Sequence, residues 1–460
     1  MKITRLSASK VHGYLPLDID FALDLTFLAG LNGQGKTSAL RLLMALLTPR
    51  LEELAQITFF EAEIMAQHEG REFWVNARKM PGYLTLTVSD VPDDLTMSNS
   101  ELELYSNAKR REEARSPVTD QYEQHPVIQH LRKLPTPTFL GLDRRFIAPG
   151  FEVEDSDIAR RRMYAAKRMW TEDVSMQGMS SAALLEVNFL VVQKMQEIRA
   201  AQEKLDEILR NAFFASAFIY KPGSLSGRDK LPSRDEISAY RRQLSEIAGA
   251  AEDIKIPVPQ IHSALTEFFE KMTSIIESLE RKTHVKKIAK PKNPGFEMPD
   301  VLLEWFVNKP QADRIIEHLR RLQEYLENRR ALRAPVDHFL DLVNQFFSQT
   351  NKVVSVSNSG ELKVSINGID DPRSIGALSS GERQIVVMLG HLSLSPHLAG
   401  SGIFIVDEPE LSLHIGWQEM FVDSVLSANP DVQCIFATHS PAIILDRIES
   451  IRDLSESAQC

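Results

Sequence analysis

Up to about residue 150 the apolar positions fall in short runs of strand character. These are Leu25-Thr26-Phe27-Leu28, Ile57-Thr58-Phe59-Phe60, Phe73-Trp74-Val75 and Tyr83–Val88. One helix, Thr37–Leu47, interrupts them directly after a glycine-rich turn. From 151 to 350 the period lengthens to that of helices. Leu184, Val191, Ile198 and Leu205 recur at heptad spacing with Met195 and Leu209 beside them, and Ile261, Leu265, Phe268, Met272, Ile275 and Leu279 form a second stripe. Ala312, Ile315, Leu319, Leu322 and Leu326 form a third, and turn-rich linkers at Lys221–Ser224 and Lys290–Gly295 separate the helices. Such stripes suit a helical bundle packed on itself or an oligomerising coiled coil. Stretches of about 30 residues would reach only about 45 Å, so no long arm is expected.

From 351 to 460 strand signals return. A hairpin is expected from Val353–Val356 and Leu362–Ile366, then a helix near 380–393, a buried strand Gly402–Val406, a helix near 414–427 and a strand Val432–Ala437. Alternation of this kind belongs to a parallel α/β sheet. The expected organisation is thus an α/β head in two halves, 1–150 and 351–460, split by a helical insertion at 151–350.

Composition narrows the classes. The 460 residues carry 53 Lys+Arg against 63 Asp+Glu, a formal charge of −10, with 43% hydrophobic and 25% charged positions. That is a globular balance, and it opposes coating of nucleic acid by bulk charge. Two cysteines, Cys434 and Cys460, cannot build a disulfide framework. With no signal-like start and no long apolar run, a cytoplasmic protein without membrane contact is expected.

Two motifs carry chemistry. Gly30-Leu31-Asn32-Gly33-Gln34-Gly35-Lys36-Thr37 fits G-x-x-x-x-G-K-[ST] between a strand and a helix, the context of a P-loop. Its glycines turn successive N–H groups inward around phosphates, Lys36 reaches the β/γ-phosphates and the Thr37 hydroxyl ligates Mg²⁺. Asn32, Gly33, Gly35, Lys36, Thr37 and Ser38 form the candidate ATP-binding set. Second, Ile403-Phe404-Ile405-Val406 ends in Asp407-Glu408, an apolar strand delivering carboxylates to its tip, the Walker B arrangement. Asp407 is the candidate Mg²⁺ residue and Glu408 the candidate general base toward the attacking water.

Leu378-Ser379-Ser380-Gly381-Glu382-Arg383-Gln384 then resembles the signature motif of the ABC ATPase superfamily. The resemblance implies that Ser379 and Gly381 meet the γ-phosphate held by a second subunit. Ser379 with Glu382 also fits a capping box, and both readings stand together. Glu408-Pro409-Glu410-Leu411-Ser412-Leu413-His414 is similar to the D-loop of this branch. Ala437-Thr438-His439-Ser440-Pro441 places His439 where the superfamily has its switch histidine, toward the γ-phosphate or the attacking water. No glutamine matches a Q-loop; Gln56 and Gln67 both follow the P-loop helix. Tyr14 fits either the adenine ring or buried packing. Thr138–Arg145 looks like a strand delivering charge toward the site.

The long stretch between Lys36 and Ser379 departs from transporter ATPases and resembles the SMC, RecF and Rad-type branch. The phrase around Phe339–Phe347, the hairpin and the later motifs resemble in particular the overcoming-lysogenisation-defect type of AAA-type ATPase, including subunits of the two-component anti-phage systems Septu and PARIS. That resemblance implies ATP hydrolysis at sites shared between two copies, in a dimer or a multiple of dimers, with ATP and Mg²⁺ as cofactors. It implies a sensor or scaffold that holds and releases or activates a separate nuclease effector on a phage-encoded trigger. Few residues follow His439, too few for a TOPRIM nuclease in the same chain. The alternative is a RecF/SMC-like clamp on DNA in repair, to which Arg160-Arg161-Arg162 and the basic positions from Arg281 to Lys292 would contribute. Such runs equally suit solvated faces, linkers or contacts to an acidic trigger.

Overall fold

The computed structural model describes residues 1–31, 33–48, 51–102, 122–141, 146–147, 179–218, 238–242, 259–283, 300–398 and 402–454. The chain divides into two compact units, Met1–Met195 with Pro335–Cys460, and Gln196–Ala334.

In the first unit an antiparallel sheet is formed by β1 (Lys2–Val11), β2 (Leu15–Asp20), β4 (Glu61–His68), β5 (Arg71–Met80), β6 (Tyr83–Val88) and β7 (Leu95–Ser98), in the order β2-β1-β4-β5-β6-β7. Its strands alternate buried and open positions, as a sheet with one covered face requires. A second sheet has the order β15-β3-β14-β13-β8-β9. It comprises β3 (Leu25–Ala29), β8 (Thr138–Leu140), β9 (Phe146–Ile147), β13 (Gly402–Asp407), β14 (Val432–Ala437) and β15 (Ile451–Asp453). All its pairings are parallel except β8 with β9. β13 and β14 are buried at every position, the mark of strands covered on both faces.

Helix α1 (Lys36–Leu47) packs on both sheets, so its apolar residues are buried almost all round, from Ala39 and Leu40 through Leu42–Leu47. α2 (Leu51–Gln56) follows it, and α3 (Pro126–Lys133) packs on β6. Buried Gln433 in β14 ties the N-terminal strand to the central sheet: its amide donates to the carbonyls of Ile3 and Ala22 at 2.7 Å each, and its oxygen accepts from Ile3 N–H at 2.7 Å. The two halves of the sequence are thereby one core. The hairpin β10 (Lys352–Val356) and β11 (Leu362–Ile366), extended by β12 (Arg373–Ser374), leads into α7 (Ser380–Leu394). α8 (Ile415–Ala428) lies between β13 and β14, and α9 (Pro441–Ile444) follows β14.

The insertion is built from α4 (Met179–Phe218), α5 (Pro259–Thr283) and α6 (Asp300–Phe347). At 40 and 48 residues, α4 and α6 exceed the 30 or so read from the periodicity. Pro310 and Pro335 look like breaks in sequence yet lie inside α6, which runs on without their N–H groups. The compact unit is also narrower than 151–350. Leu184, Val187 and Val191 of α4 and Val336, Phe339 and Val343 of α6 are buried in the α/β unit, and the boundary falls at Pro335.

Within the second unit, Phe269, Met272, Ile276 and Leu279 of α5 meet Trp305, Ala312, Ile316 and Leu319 of α6 in one buried cluster with Tyr240, a bundle packed on itself. The buried positions include Phe269 and Ile276 where the spacing named Phe268 and Ile275, which only border the cluster. At both places two adjacent positions are apolar, and packing against α6 turns Phe269 and Ile276 inward. Ile57–Phe60 is the turn entering β4 and not a strand. Lys79 Nζ donates to the carbonyls of Ala55 and Ile57 at 2.7 and 3.0 Å and closes that turn. Arg160–Arg162, Asp143–Arg145, the linkers at 221–224 and 290–295 and most of the basic run from 281 to 292 lie outside the described residues. Among the described residues no helix is long and apolar enough to cross a membrane.

Candidate functional site

The strand order β3-β14-β13 puts three chain segments side by side at the C-terminal ends of parallel strands, where open α/β sheets bind ligands. β3 leads into the P-loop, β14 into Thr438 and His439, and β13 ends at Asp407. Because β14 is the middle strand, His439 stands between the P-loop lysine and the Walker B carboxylates. Lys36 Nζ hydrogen-bonds His439 Nε2 and donates to the carbonyl of Gly30 at 2.9 Å. His439 Nε2 in turn lies 3.5 Å from Glu408 Oε1.

The loop geometry follows from its glycines. Gly35 caps α1 in the left-handed region, a conformation that favours glycine, and a Cβ there would push against the end of the Leu15 side chain. Gly33 has the same positive φ. The first N–H groups of α1, at Lys36, Thr37 and Ser38, have no partner within the helix and form an anion cradle. The Ser38 hydroxyl is 2.8 Å from His12 Nε2, a contact from the β1–β2 turn that sequence reading missed. Asn32 lies outside the described residues.

Asp407 is buried, and neither carboxylate oxygen has a hydrogen-bond partner among the described residues. Burial pushes its pKa up. The nearby Thr37 hydroxyl, which lies outside hydrogen-bond geometry, and the Lys36 charge offset only part of that. A buried carboxylate with two free oxygens beside a threonine hydroxyl suits a Mg²⁺ ion, which takes one or two protein oxygens and completes its shell with phosphates and water. Among the described residues no group of three or more His, Cys, Asp or Glu is placed to hold a metal ion.

Glu408 adopts a left-handed φ of 51°, an uncommon conformation for a non-glycine residue. Burial, and then the neighbouring Glu410, push its pKa up to about 7 against the pull of Lys36. Burial likewise draws the Lys36 pKa down, opposed by Glu408, Asp407 and Glu410. A carboxyl with a raised pKa beside a buried lysine is an electrostatic pattern that clusters at functional sites.

Ser379 caps α7 in a complete capping box: Glu382 Oε2 accepts from Ser379 N–H at 2.7 Å, and Ser379 Oγ accepts from Glu382 N–H at 3.4 Å. Lys352 at the start of β10 donates to the same Glu382 oxygen at 2.8 Å, a buried pairing not legible from the motif. Gly381 packs against the Ser412 carbonyl and the Trp417 ring. The described contacts of the signature run to its own helix, to the turn at 375–377, to β10, to the 408–414 loop and to Trp417 of α8. Leu31 in the P-loop, Leu411 in the loop after β13 and Ile415 at the start of α8 are exposed apolar side chains.

Glu410 was not singled out by sequence. Its Oε2 accepts from Thr438 Oγ1 at 2.8 Å, and its Oε1 from the N–H groups of His439 and Ser440 at 2.8 and 3.1 Å. Tyr14 is 72% exposed, which excludes the packing role. Gln67 lies in β4 and bonds Glu72, and Gln56 closes α2.

A parallel α/β sheet that carries a P-loop, an acidic strand tip and a strand-end histidine has the architecture of an AAA-type ATPase. The chain belongs to the family described as "AAA domain, putative AbiEii toxin, Type IV TA system", whose profile matches residues 209–446. It is similar to the Retron Vc95 probable ATPase of Vibrio cholerae serotype O1 biovar El Tor, 29% identical over 111 residues, 22% of this chain and 21% of that protein. It is also similar to the Retron Ec83 probable ATPase of Escherichia coli, 32% identical over 79 residues, 15% of each chain. The matched segments therefore span about a fifth or less of those relatives. Among solved structures it is similar to the Smc head domain with an extended coiled coil bound to the C-terminal domain of ScpA from Pyrococcus furiosus. That match has 13% identity and a TM-score of 0.38, and covers 98% of this chain and 93% of that one. The SMC head domain from Thermotoga maritima matches at 10% identity and a TM-score of 0.36, covering 98% and 94%.

Proposed function

We propose that this chain is a Mg²⁺-dependent ATPase whose sites are completed by the signature of a second copy, acting as the sensor or scaffold subunit of an anti-phage defence complex with a separate nuclease effector. One observation carries the chemistry: Lys36, His439 and Glu408 are linked side chain to side chain at adjacent strand tips, beside a buried Asp407 with two free oxygens. In this reading the α1 amides and Lys36 bind the triphosphate, and Thr37 with Asp407 holds Mg²⁺. Bound Mg²⁺ neutralises charge developing on the transferred phosphoryl group. Glu408 orients the attacking water and accepts its proton, and His439 donates a hydrogen bond toward the γ-phosphate.

The composite site is supported by the resemblance of Leu378–Gln384 to the superfamily signature and by the exposed apolar side chains of Leu31 in the P-loop, Leu411 in the loop after Walker B and Ile415 at the start of α8. The defence role is supported by the family's description and by the retron ATPases among the relatives. The test is steady-state ATP hydrolysis across a dilution series. Rate per chain should fall steeply as dimers dissociate, and Glu408→Gln should bind ATP while turning over at least about 100-fold more slowly. A constant rate per chain down to a verified monomer would contradict shared sites, and unchanged turnover in Glu408→Gln would remove it as the base. In cells carrying the neighbouring effector gene, Lys36→Ala should abolish phage protection.

A further inference from the structure

We infer that Glu410 is the positioning residue of the hydrolytic site, holding the His439 imidazole between Lys36 and Glu408; this rests on the ATPase reading above. β14 makes its last ladder bonds at Ala437, and Thr438 N–H still reaches the carbonyl of Leu28 at 3.2 Å. Beyond that point the N–H groups of His439 and Ser440 have left the sheet. Ser440 precedes α9 but its side chain gives no cap, because its hydroxyl is bonded to Gln418 Oε1 at 2.6 Å. The acceptors come from the neighbouring strand's loop and, for Ser440 N–H, from the Thr438 hydroxyl oxygen as well, at 3.0 Å.

Glu410 accepts from three donors of the segment, the Thr438 hydroxyl and the N–H groups of His439 and Ser440, between 2.8 and 3.1 Å. Only a carboxylate fits this set: it offers acceptors on both oxygens and no donor, whereas an amide would turn an NH₂ group on one leg of the clamp. The clamp holds the backbone at residue 439 itself, so it fixes the point from which the imidazole projects. Gln418 braces the same arrangement, donating to the carbonyl of Leu413 at 3.0 Å while accepting from Ser440. The spacing of this clamp also ties the switch histidine to the chain that carries Glu408, two residues before Glu410. Any movement of the 408–414 loop is therefore transmitted to His439 through three hydrogen bonds.

A positioning role separates from general support of the fold in a double-mutant cycle on the full chain. ATP hydrolysis at saturating Mg²⁺ would be measured for wild type, Glu410→Ala, His439→Ala and the double variant, with KM for ATP from each. The expected result is a fall in kcat on the order of 10- to 100-fold for Glu410→Ala, the scale of a misplaced catalytic group. KM should stay within about twofold. The double variant should be no slower than His439→Ala, because Glu410 acts through the imidazole. Thr438→Val, which removes one leg of the clamp together with the second acceptor of Ser440 N–H, should lie between wild type and Glu410→Ala. If Glu410→Ala does not accumulate as folded protein, Glu410→Gln takes its place in the same cycle with the same expectations. Turnover of the Glu410 variant equal to wild type would overturn the inference alone, as would a double variant slowed by the full product of the two single effects. Wild type that binds ATP without hydrolysing it would overturn both this inference and the ATPase reading.

Discussion

Gly381 lies so close to Ser412 that a Cβ on the glycine would overlap the serine's carbonyl oxygen. The signature helix and the loop after the acidic strand are therefore in backbone contact within one chain, and neither can shift without the other. Ser412 itself has a φ of 72°, a left-handed conformation that presents its carbonyl to the helix. Gly381→Ala is expected to cost about 1–3 kcal/mol, since the obstructing atom is backbone and cannot rotate away. The thermal midpoint should drop by several degrees, and Gly381→Ser, with the same Cβ, should drop as far. A midpoint equal to wild type in both variants would show that the loop yields freely.

Asp407 is a carboxylate kept in the protein interior whose oxygens have no hydrogen-bond partner among the described residues. Asp407→Asn should raise the thermal midpoint of nucleotide-free protein, by something on the order of 1 kcal/mol, because it removes a buried charge. The same substitution should abolish the further rise that ATP with Mg²⁺ confers on wild type. A variant less stable than wild type without nucleotide, yet still stabilised by Mg²⁺ and ATP, would place the metal elsewhere.

A second buried pair lies where α4 crosses α7. His391 Nε2 is 3.8 Å from Glu186 Oε1, and burial pushes Glu186 up to about 8 from 4.5 while it pulls His391 down to about 3 from 6.5. The signs differ. Between about pH 4.5 and 8 the unfolded chain releases the Glu186 proton while the native state keeps it, so stability falls with rising pH. For His391 the unfolded chain binds the extra proton between about pH 3 and 6.5, so stability rises there and is complete above it. Above pH 6.5 only the Glu186 slope remains. Glu186→Gln should therefore match wild type near pH 5 and exceed it in thermal midpoint toward pH 8. Parallel midpoints over that range would mean that Glu186 is ionised in the native state.

Much of the site was legible because its motifs are contiguous. The spacing of Gly30, Gly35, Lys36 and Thr37 marks a loop that is largely local in the chain, closed within itself by Gln34 on Leu31 N–H. The tip at Asp407-Glu408 is marked by the apolar run before it. Glu410 escaped because its partners are 28 to 30 residues away and become neighbours only through the strand order β3-β14-β13. The available signal was a third acidic residue in Asp407-Glu408-Pro409-Glu410, facing a segment rich in hydroxyls and free N–H groups at Thr438-His439-Ser440. Lys352 and His12 escaped for the same reason: each acts across a long sequence gap. In the insertion, helix existence followed from periodicity. The buried face did not, because Phe268 and Phe269, or Ile275 and Ile276, are equally apolar and only the helix opposite decides which turns inward.

The most direct measurement is ATP hydrolysis by a mixture of two variants, each disabled in one half of a shared site. Lys36→Ala removes the triphosphate cation from one chain, and Ser379→Arg obstructs the signature of the other. Each alone should be inert. Mixed chains should regain a fraction of wild-type turnover, because one intact P-loop then faces one intact signature. A mixture as inert as its components, although both chains fold and associate, would contradict the shared site, as would Ser379→Arg turning over at the wild-type rate.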